Sequence, residues 1–278
     1  MIKKLKNQRE KVKTKAYFAY IICLLLLICG FNFLLFNFAF AMTGQQILDK
    51  IDDNMTYDSA KMESRMVIHV RDDIRTKKMI SYSKGRDKSY SEFTYPARDE
   101  GVKYLKIDDN MWIYMPSVEK IIKIAGHMLR QSMMGSDFSY EDALESSELD
   151  KKYNAKLVGE ETITLTHPEG RKTVKTKYDC YVIELVAKVK EVTYYKRKIW
   201  VDKGTFVPVK EELFAKSGKK LKLMTLSNIK LYGKRYYPVY FTMSNLLRKD
   251  SLTEMIIDEV QFGLDLPDSI FTQRNLRK

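Results

Sequence analysis

The histidines and carboxylates of this chain are the residues whose chemistry could support catalysis or metal binding. The three histidines, His69, His127 and His167, are widely separated. His69 lies on an alternating polar face and His167 precedes Pro168, so we expect both to be solvated. The sequence contains no H-E-x-x-H or G-x-S-x-G motif and no phosphate-binding glycine loop. We therefore expect a protein that is not an enzyme and that has no metal or cofactor, and a hydrolase triad assembled from distant positions stays open as an alternative.

Glu141 and Asp142 are adjacent carboxylates that could act as an acid–base pair, but their context predicts a structural role. Ser139 precedes Asp142 by three residues, which is the spacing of a helix-capping motif. Carboxylates in a first helical turn also favourably meet the positive end of the helix dipole. We interpret this pair as the start of a helix.

The first 41 residues have the pattern of an export signal. A basic segment over residues 3–15 carries seven Lys and Arg against Glu10, residues 16–41 carry no charge, and Ala39-Phe40-Ala41 suits signal peptidase. The uncharged run is longer than the about 7–15 residues of a signal core, and about 20 apolar residues suffice to span a bilayer. An uncleaved anchor therefore stays open. Either form exports the remainder, so we predict a periplasmic protein with a single domain over 42–278.

Composition excludes some classes of protein for this exported part. The chain has 49 basic and 36 acidic residues, and removing the 7 and 1 of the leader leaves 42 and 35. The lysines are spread along strand patterns such as 219–223, which indicates solvated strand faces and argues against a nucleic-acid partner. Cys180 would be the single remaining cysteine, so no internal disulfide can form, and its strand context predicts burial.

The pattern of apolar residues predicts one short helix and then a sheet. Thr43 and Gln46 have the spacing of a capping box, and apolar residues follow at helical spacing as far as Met55. After Ser59 the chain alternates with period two, and turn signals recur every 8–15 residues. We predict a mainly β protein with a large antiparallel sheet of about ten strands.

Two segments place apolar residues where a simple sheet would not need them. Residues 110–115 are apolar on both faces, so Trp112 and Tyr114 are either core residues or the wall of a cavity. Met133 and Met134 put flexible apolar side chains in a loop, which suits either a ligand gate or plain packing.

The stretches Trp112-Ile113-Tyr114-Met115-Pro116 and 134–142 (MGSDFSYED) resemble the outer-membrane lipoprotein-sorting family, the LolA-like periplasmic carriers. Further pieces follow in the same order at 198–202, 207–210, 218–219 and 266–272, so the resemblance extends over roughly residues 43–276. It points to a sister group of generic lipid carriers and not to the principal lipoprotein carrier.

The resemblance implies a curled antiparallel half-barrel whose open side is covered by helices, with an apolar cavity between them. It implies a carrier of lipoprotein or lipid acyl chains toward the outer membrane, with an inner-membrane exporter and an outer-membrane acceptor as partners. A membrane-tethered lipid-sensing module of the same fold is the alternative, and an uncleaved leader would favour it. The residues that we expect to line the cavity are Trp112, Tyr114, Met115, Ile121, Ile124, Met133, Met134 and Phe138.

Overall fold

An open antiparallel sheet dominates the computed structural model, which describes residues 42–145 and 149–278; the predicted export signal, residues 1–41, lies outside them. Within those residues the sheet has 13 strands and is not closed into a barrel. The strands are β1 Ser59–Val70, β2 Asp73–Lys84, β3 Lys88–Tyr95, β4 Lys103–Ile107, β5 Asn110–Met115, β6 Lys120–Ile124, β7 Tyr153–Glu169, β8 Lys172–Ala187, β9 Lys196–Asp202, β10 Pro208–Phe214, β11 Lys220–Tyr232, β12 Arg235–Asn245 and β13 Ser251–Phe262.

Short helices and 3₁₀ turns connect or cover these strands. The α-helices among the described residues are α1 Gly44–Met55, α2 Tyr140–Glu145, α3 Leu149–Lys152 and α4 Gln273–Leu276. The 3₁₀ turns are Pro116–Val118, Gly126–Arg130, Met133–Gly135 and Asp268–Ile270. Thr43–Lys278 form one compact unit.

The strand order is β6-β5-β4-β3-β2-β1-β13-β12-β11-β10-β9-β8-β7, so consecutive strands pair except where β1 meets β13. β7 contacts β11 although three strands separate them in this order, which indicates that the sheet bends at that end. The sequence-based count of about ten strands was too low. Strands such as β7 are mostly exposed and polar, and they are held by their hydrogen-bonded partner, so apolar alternation does not reveal them.

One face of the sheet, here called the inner face, carries the main hydrophobic core. Met66 and Ile68 of β1 lie at its centre and are fully buried. The other buried members of this cluster are Met79, Phe93, Val102, Tyr104, Met111, Ile113, Ile124 and Tyr140. Because Tyr140 begins α2, the core fixes the position of that helix over the sheet.

Helix α1 begins as the sequence predicts. The Thr43 hydroxyl accepts a hydrogen bond from the Gln46 backbone N–H at 3.2 Å, and the Gln46 side chain accepts one from Thr43 N–H at 2.8 Å. A Cβ atom at Gly44 would lie 2.6 Å from the backbone of Leu157, so the close approach of α1 to β7 requires glycine here.

The opposite, outer face is covered by separate clusters. The C-terminal segment, residues 264–276, packs Leu266, Phe271 and Leu276 against Tyr90 and Leu105. Elsewhere on the outer face Cys180 is fully buried, as predicted, and burial raises the pKa of its thiol to about 12.

Candidate functional site

A cleft of about 950 Å³ lies beside the main core, among α2, the segment 129–139, the β8–β9 loop and the adjoining ends of β11 and β12. Its volume falls within the range of about 300–1,000 Å³ typical of small-molecule sites. The apolar side chains that line it are Leu129, Phe138, Leu144, Val189, Val192, Leu221 and Leu247.

Part of this apolar lining faces water at the rim. Leu247 is 57% exposed and Val189 is 41% exposed. Apolar side chains gathered at a cavity mouth are a common feature of binding sites. The cleft therefore offers an apolar ligand both a wall and an accessible entrance.

The base of the cleft is a buried polar network around Asp142. Lys222 of β11 and the Tyr194 hydroxyl of the β8–β9 loop both donate hydrogen bonds to its carboxylate. Ser139 donates to the same carboxylate from its backbone N–H at 2.7 Å and from its hydroxyl at 2.8 Å, which confirms the predicted helix start. Burial and the neighbouring Asp142 raise the pKa of Tyr194, so Tyr194 stays a hydrogen-bond donor. The network fastens α2 and the β8–β9 loop to the sheet.

The segment before α2 is fixed by a second network, around the buried carboxylate of Asp137. Thr253 and Ser251 donate their hydroxyls to Asp137, the former at 2.8 Å. Arg248 donates to the carbonyl of Ser136 at 2.9 Å and to that of Gly135 at 3.3 Å. These bonds tie residues 135–137 to β13 and to the β12–β13 hairpin, so the turn that carries the two methionines is anchored on its C-terminal side.

Five of the eight predicted cavity residues lie on the inner face or beside it. Ile124 belongs to the main core cluster, and Met115, Met133 and Met134 pack against it half-buried. Phe138 lines the cleft. The structure thus brings the methionine turn next to the cleft, with Phe138 as the predicted residue in its wall.

The other three predicted residues, Trp112, Tyr114 and Ile121, lie on the outer face. They pack half-buried against the cluster that includes Leu105 and the C-terminal segment. Alternation along β5 dictates this separation, because residues 112 and 114 point away from residues 111, 113 and 115.

Sequence reasoning missed most of the lining of the cleft. Leu247 of the lining follows Leu246 in a turn, and such an apolar pair is the same kind of signal as the two methionines of the methionine turn. Lys222 was interpreted as part of a solvated strand face, and this was wrong: it is buried on the inner face, paired with Asp142. Nothing in local alternation marks one lysine of 219–223 as buried.

The histidines lie in three different elements, β1, a 3₁₀ turn and β7. His69 Nε2 lies 2.6 Å from a carboxylate oxygen of Glu254, and His167 is buried within β7, so the expectation that His167 is solvated was wrong. In residues 42–145 and 149–278 no group of three His, Cys, Asp or Glu is placed to hold a metal ion. None of the helices described there has the length and apolar character needed to cross a membrane.

Solved structures share this architecture over most of the chain. A DUF1329 family protein from Desulfovibrio piger has a TM-score of 0.72 at 26% identity, covering 84% of this chain and 97% of that one. A LolA superfamily protein from Nitrosomonas europaea has a TM-score of 0.67 at 26% identity, covering 84% and 100%. A putative outer membrane lipoprotein-sorting protein domain from Vibrio parahaemolyticus has a TM-score of 0.71 at 23% identity, covering 84% and 98%.

Sequence comparison identifies the same region. A family model described as "Uncharacterized protein" matches residues 85–278, which include β3 to β13 and every residue of the cleft. No curated protein matches the chain. With the three structures, this match shows that the chain belongs to the outer-membrane lipoprotein-sorting, LolA-like family.

Proposed function

We propose that this protein is a periplasmic carrier that holds acyl chains of lipoproteins or lipids in the inner-face cleft during transfer toward the outer membrane. The observation that carries the proposal is the cleft itself, about 950 Å³ with an apolar wall and an exposed apolar rim. The names of two structural relatives, a lipoprotein-sorting domain and a LolA superfamily protein, support the same role.

The composition of the cleft suits reversible binding. Each buried methylene contributes about 0.8 kcal/mol, so a chain of about 16 carbons offers roughly 13 kcal/mol if it is fully buried. The cleft would realise only part of that, because Asp142 and Lys222 form a polar base and the rim leaves some of the chain in water. A lower net affinity allows the cargo to leave at its destination.

The proposed role needs no chemical step. The names of the structural relatives describe sorting or a family and no enzyme activity. Exchange with an inner-membrane exporter and an outer-membrane acceptor belongs to the proposal, since a carrier must load at one membrane and unload at the other.

The proposal is tested by comparing acyl-chain binding in two double variants with matched substitutions. Val189→Glu with Leu247→Glu places two carboxylates in the rim, at side chains that are 41% and 57% exposed. Val158→Glu with Leu231→Glu makes the same change of residue types at positions 47% and 57% exposed that do not line the cleft.

Binding is measured by titration with a fluorescent 16-carbon fatty acid. We expect the rim pair to weaken binding by about tenfold or more, because charge replaces apolar contact worth about 1.4 kcal/mol or more. The control pair should match the unsubstituted protein. Equal affinity in both variants, or no binding by the unsubstituted protein, would overturn the assignment.

A further inference from the structure

Three loops beside the mouth of the cleft emerge from the same end of the sheet. They are the β8–β9 loop at 188–195, the β10–β11 loop at 215–219 and the β12–β13 loop at 246–250, here called the rim loops. In an antiparallel run of neighbouring strands, alternate connections lie at the same end. Direct contacts agree, since Lys216 Nζ lies 6.0 Å from the centre of the Tyr195 ring.

The rim loops expose apolar side chains at their surfaces. Leu246 and Leu247 are consecutive in one loop, and Val189 and Tyr195 are exposed in another. Among the described residues these side chains stay partly uncovered, and apolar side chains of this size gathered at a surface are costly to hold in water. Their concentration on short loops at one end calls for a surface that can receive them.

The same loops are strongly basic. Five of their lysines are exposed, against two exposed carboxylates, Glu191 and Asp250. The exposed lysines are Lys188, Lys190, Lys216, Lys219 and Lys249. Lysines that surround apolar side chains are the composition that binds the interface of an anionic bilayer, where the apolar groups enter the acyl boundary and the ammonium groups meet phosphates.

We infer that the rim loops dock this protein on the surface of an anionic phospholipid bilayer. The apolar groups stand on separate loops with lysines between them, which fits a fluid, negatively charged surface better than one complementary protein groove. Docking in this orientation presents the mouth of the cleft, with Val189 and Leu247 at its rim, to the membrane. The inference goes beyond the proposed function, because binding to vesicles does not require an acyl chain in the cleft.

Vesicle flotation tests the inference with two variants of identical charge change. The rim variant combines Leu246→Asp, Lys216→Glu and Lys249→Glu, at three exposed positions outside the lining of the cleft. The control variant combines Leu231→Asp, Lys230→Glu and Lys234→Glu, all exposed at the β11–β12 connection at the other end of the sheet. The vesicles contain either phosphatidylcholine alone or phosphatidylcholine with 30 mol% phosphatidylglycerol.

We expect the unsubstituted protein and the control variant to float with the anionic vesicles, more weakly as salt is raised, and the rim variant to lose at least about tenfold in binding. Fatty-acid titration of both variants should match the unsubstituted protein, which separates docking from acyl binding. Absence of binding to anionic vesicles, or equal losses in the two variants, would overturn the inference. If the rim variant also loses fatty-acid binding, its loss of vesicle binding is explained by damage to the cleft, and the docking inference is overturned as well.

Discussion

Lys222 of β11 and Asp142 of α2 form a buried ion pair at the base of the cleft, with side chains 9% and 10% exposed. This pair links the helix that walls the cleft to the sheet beneath it. Removing one partner of a buried pair leaves the other charge without compensation, at a typical cost of about 3–5 kcal/mol.

Lys222→Met should therefore lower the free energy of unfolding by about 3 kcal/mol, measured by urea denaturation. Lys220→Met is the matched control two residues away. Its ammonium group pairs with Glu212 at 2.8 Å but its side chain is 39% exposed, so we expect a loss of less than about 1 kcal/mol. Similar losses for the two substitutions would contradict the structural importance of the buried pair.

Asp137 anchors the segment before α2, and its loss should release that segment locally. Asp137→Asn keeps the shape of the side chain but weakens the hydrogen bonds from Ser251 and Thr253, at a cost of about 2 kcal/mol. Hydrogen exchange should show reduced protection of residues 131–138. Asp250→Asn, at an exposed position of the neighbouring hairpin, should leave protection unchanged; unchanged protection in Asp137→Asn would show that other contacts hold the segment.

Tryptophan fluorescence can test the placement of the predicted cavity residues on two faces of the sheet. Trp200→Phe leaves Trp112 as the single tryptophan, packed on the outer face beneath the C-terminal segment. Adding Trp112→Phe and Phe138→Trp moves the reporter to the wall of the cleft. A saturated 16-carbon fatty acid should shift the emission of the second protein and not of the first. A shift confined to Trp112 would place the ligand on the outer face.

The C-terminal segment has a pH-dependent attachment at Asp268. Hydrogen bonds from Lys88 and Lys84, with the positive charge of these lysines, lower the pKa of Asp268 below its usual value. A carboxyl whose pKa is lowered by folding stabilises the fold above its unfolded pKa of about 4, and that contribution is lost as the pH falls through the lower folded value.

Hydrogen-exchange protection of residues 264–276 should therefore decrease when the pH falls below about 4. Asp268→Asn should already show reduced protection at pH 7 and a smaller further decrease in acid. Asp265→Asn, at an exposed carboxylate three residues earlier in the chain, is the neighbouring control. Identical acid profiles for Asp268→Asn and the unsubstituted protein would show that another group controls the segment.

Local sequence signals predicted the elements whose cause is local. The Thr43 cap, the helix start at Ser139 and the burial of Cys180 each depend on a few neighbouring residues, and each is confirmed. The antiparallel sheet was also predictable, because period-two alternation is a property of the strand itself.

The orientation of β5 was not predictable from alternation. That pattern shows that Trp112 and Ile113 face opposite ways, but the choice of inner face depends on where segments distant in sequence pack. Trp112 lies outward because the C-terminal segment covers that face, and Ile113 lies inward beneath the segment that ends in α2. The burial of Lys222 depends likewise on Asp142, 80 residues away.

Native mass spectrometry of the protein, purified without detergent from its own cells, tests acyl-chain binding most directly. We expect a bound mass that matches a lipid or an acylated peptide. We expect Val189→Glu with Leu247→Glu to lose this bound mass and Val158→Glu with Leu231→Glu to keep it. A bare protein mass in the unsubstituted chain, or a bound mass retained equally by both variants, would contradict acyl binding in this cleft.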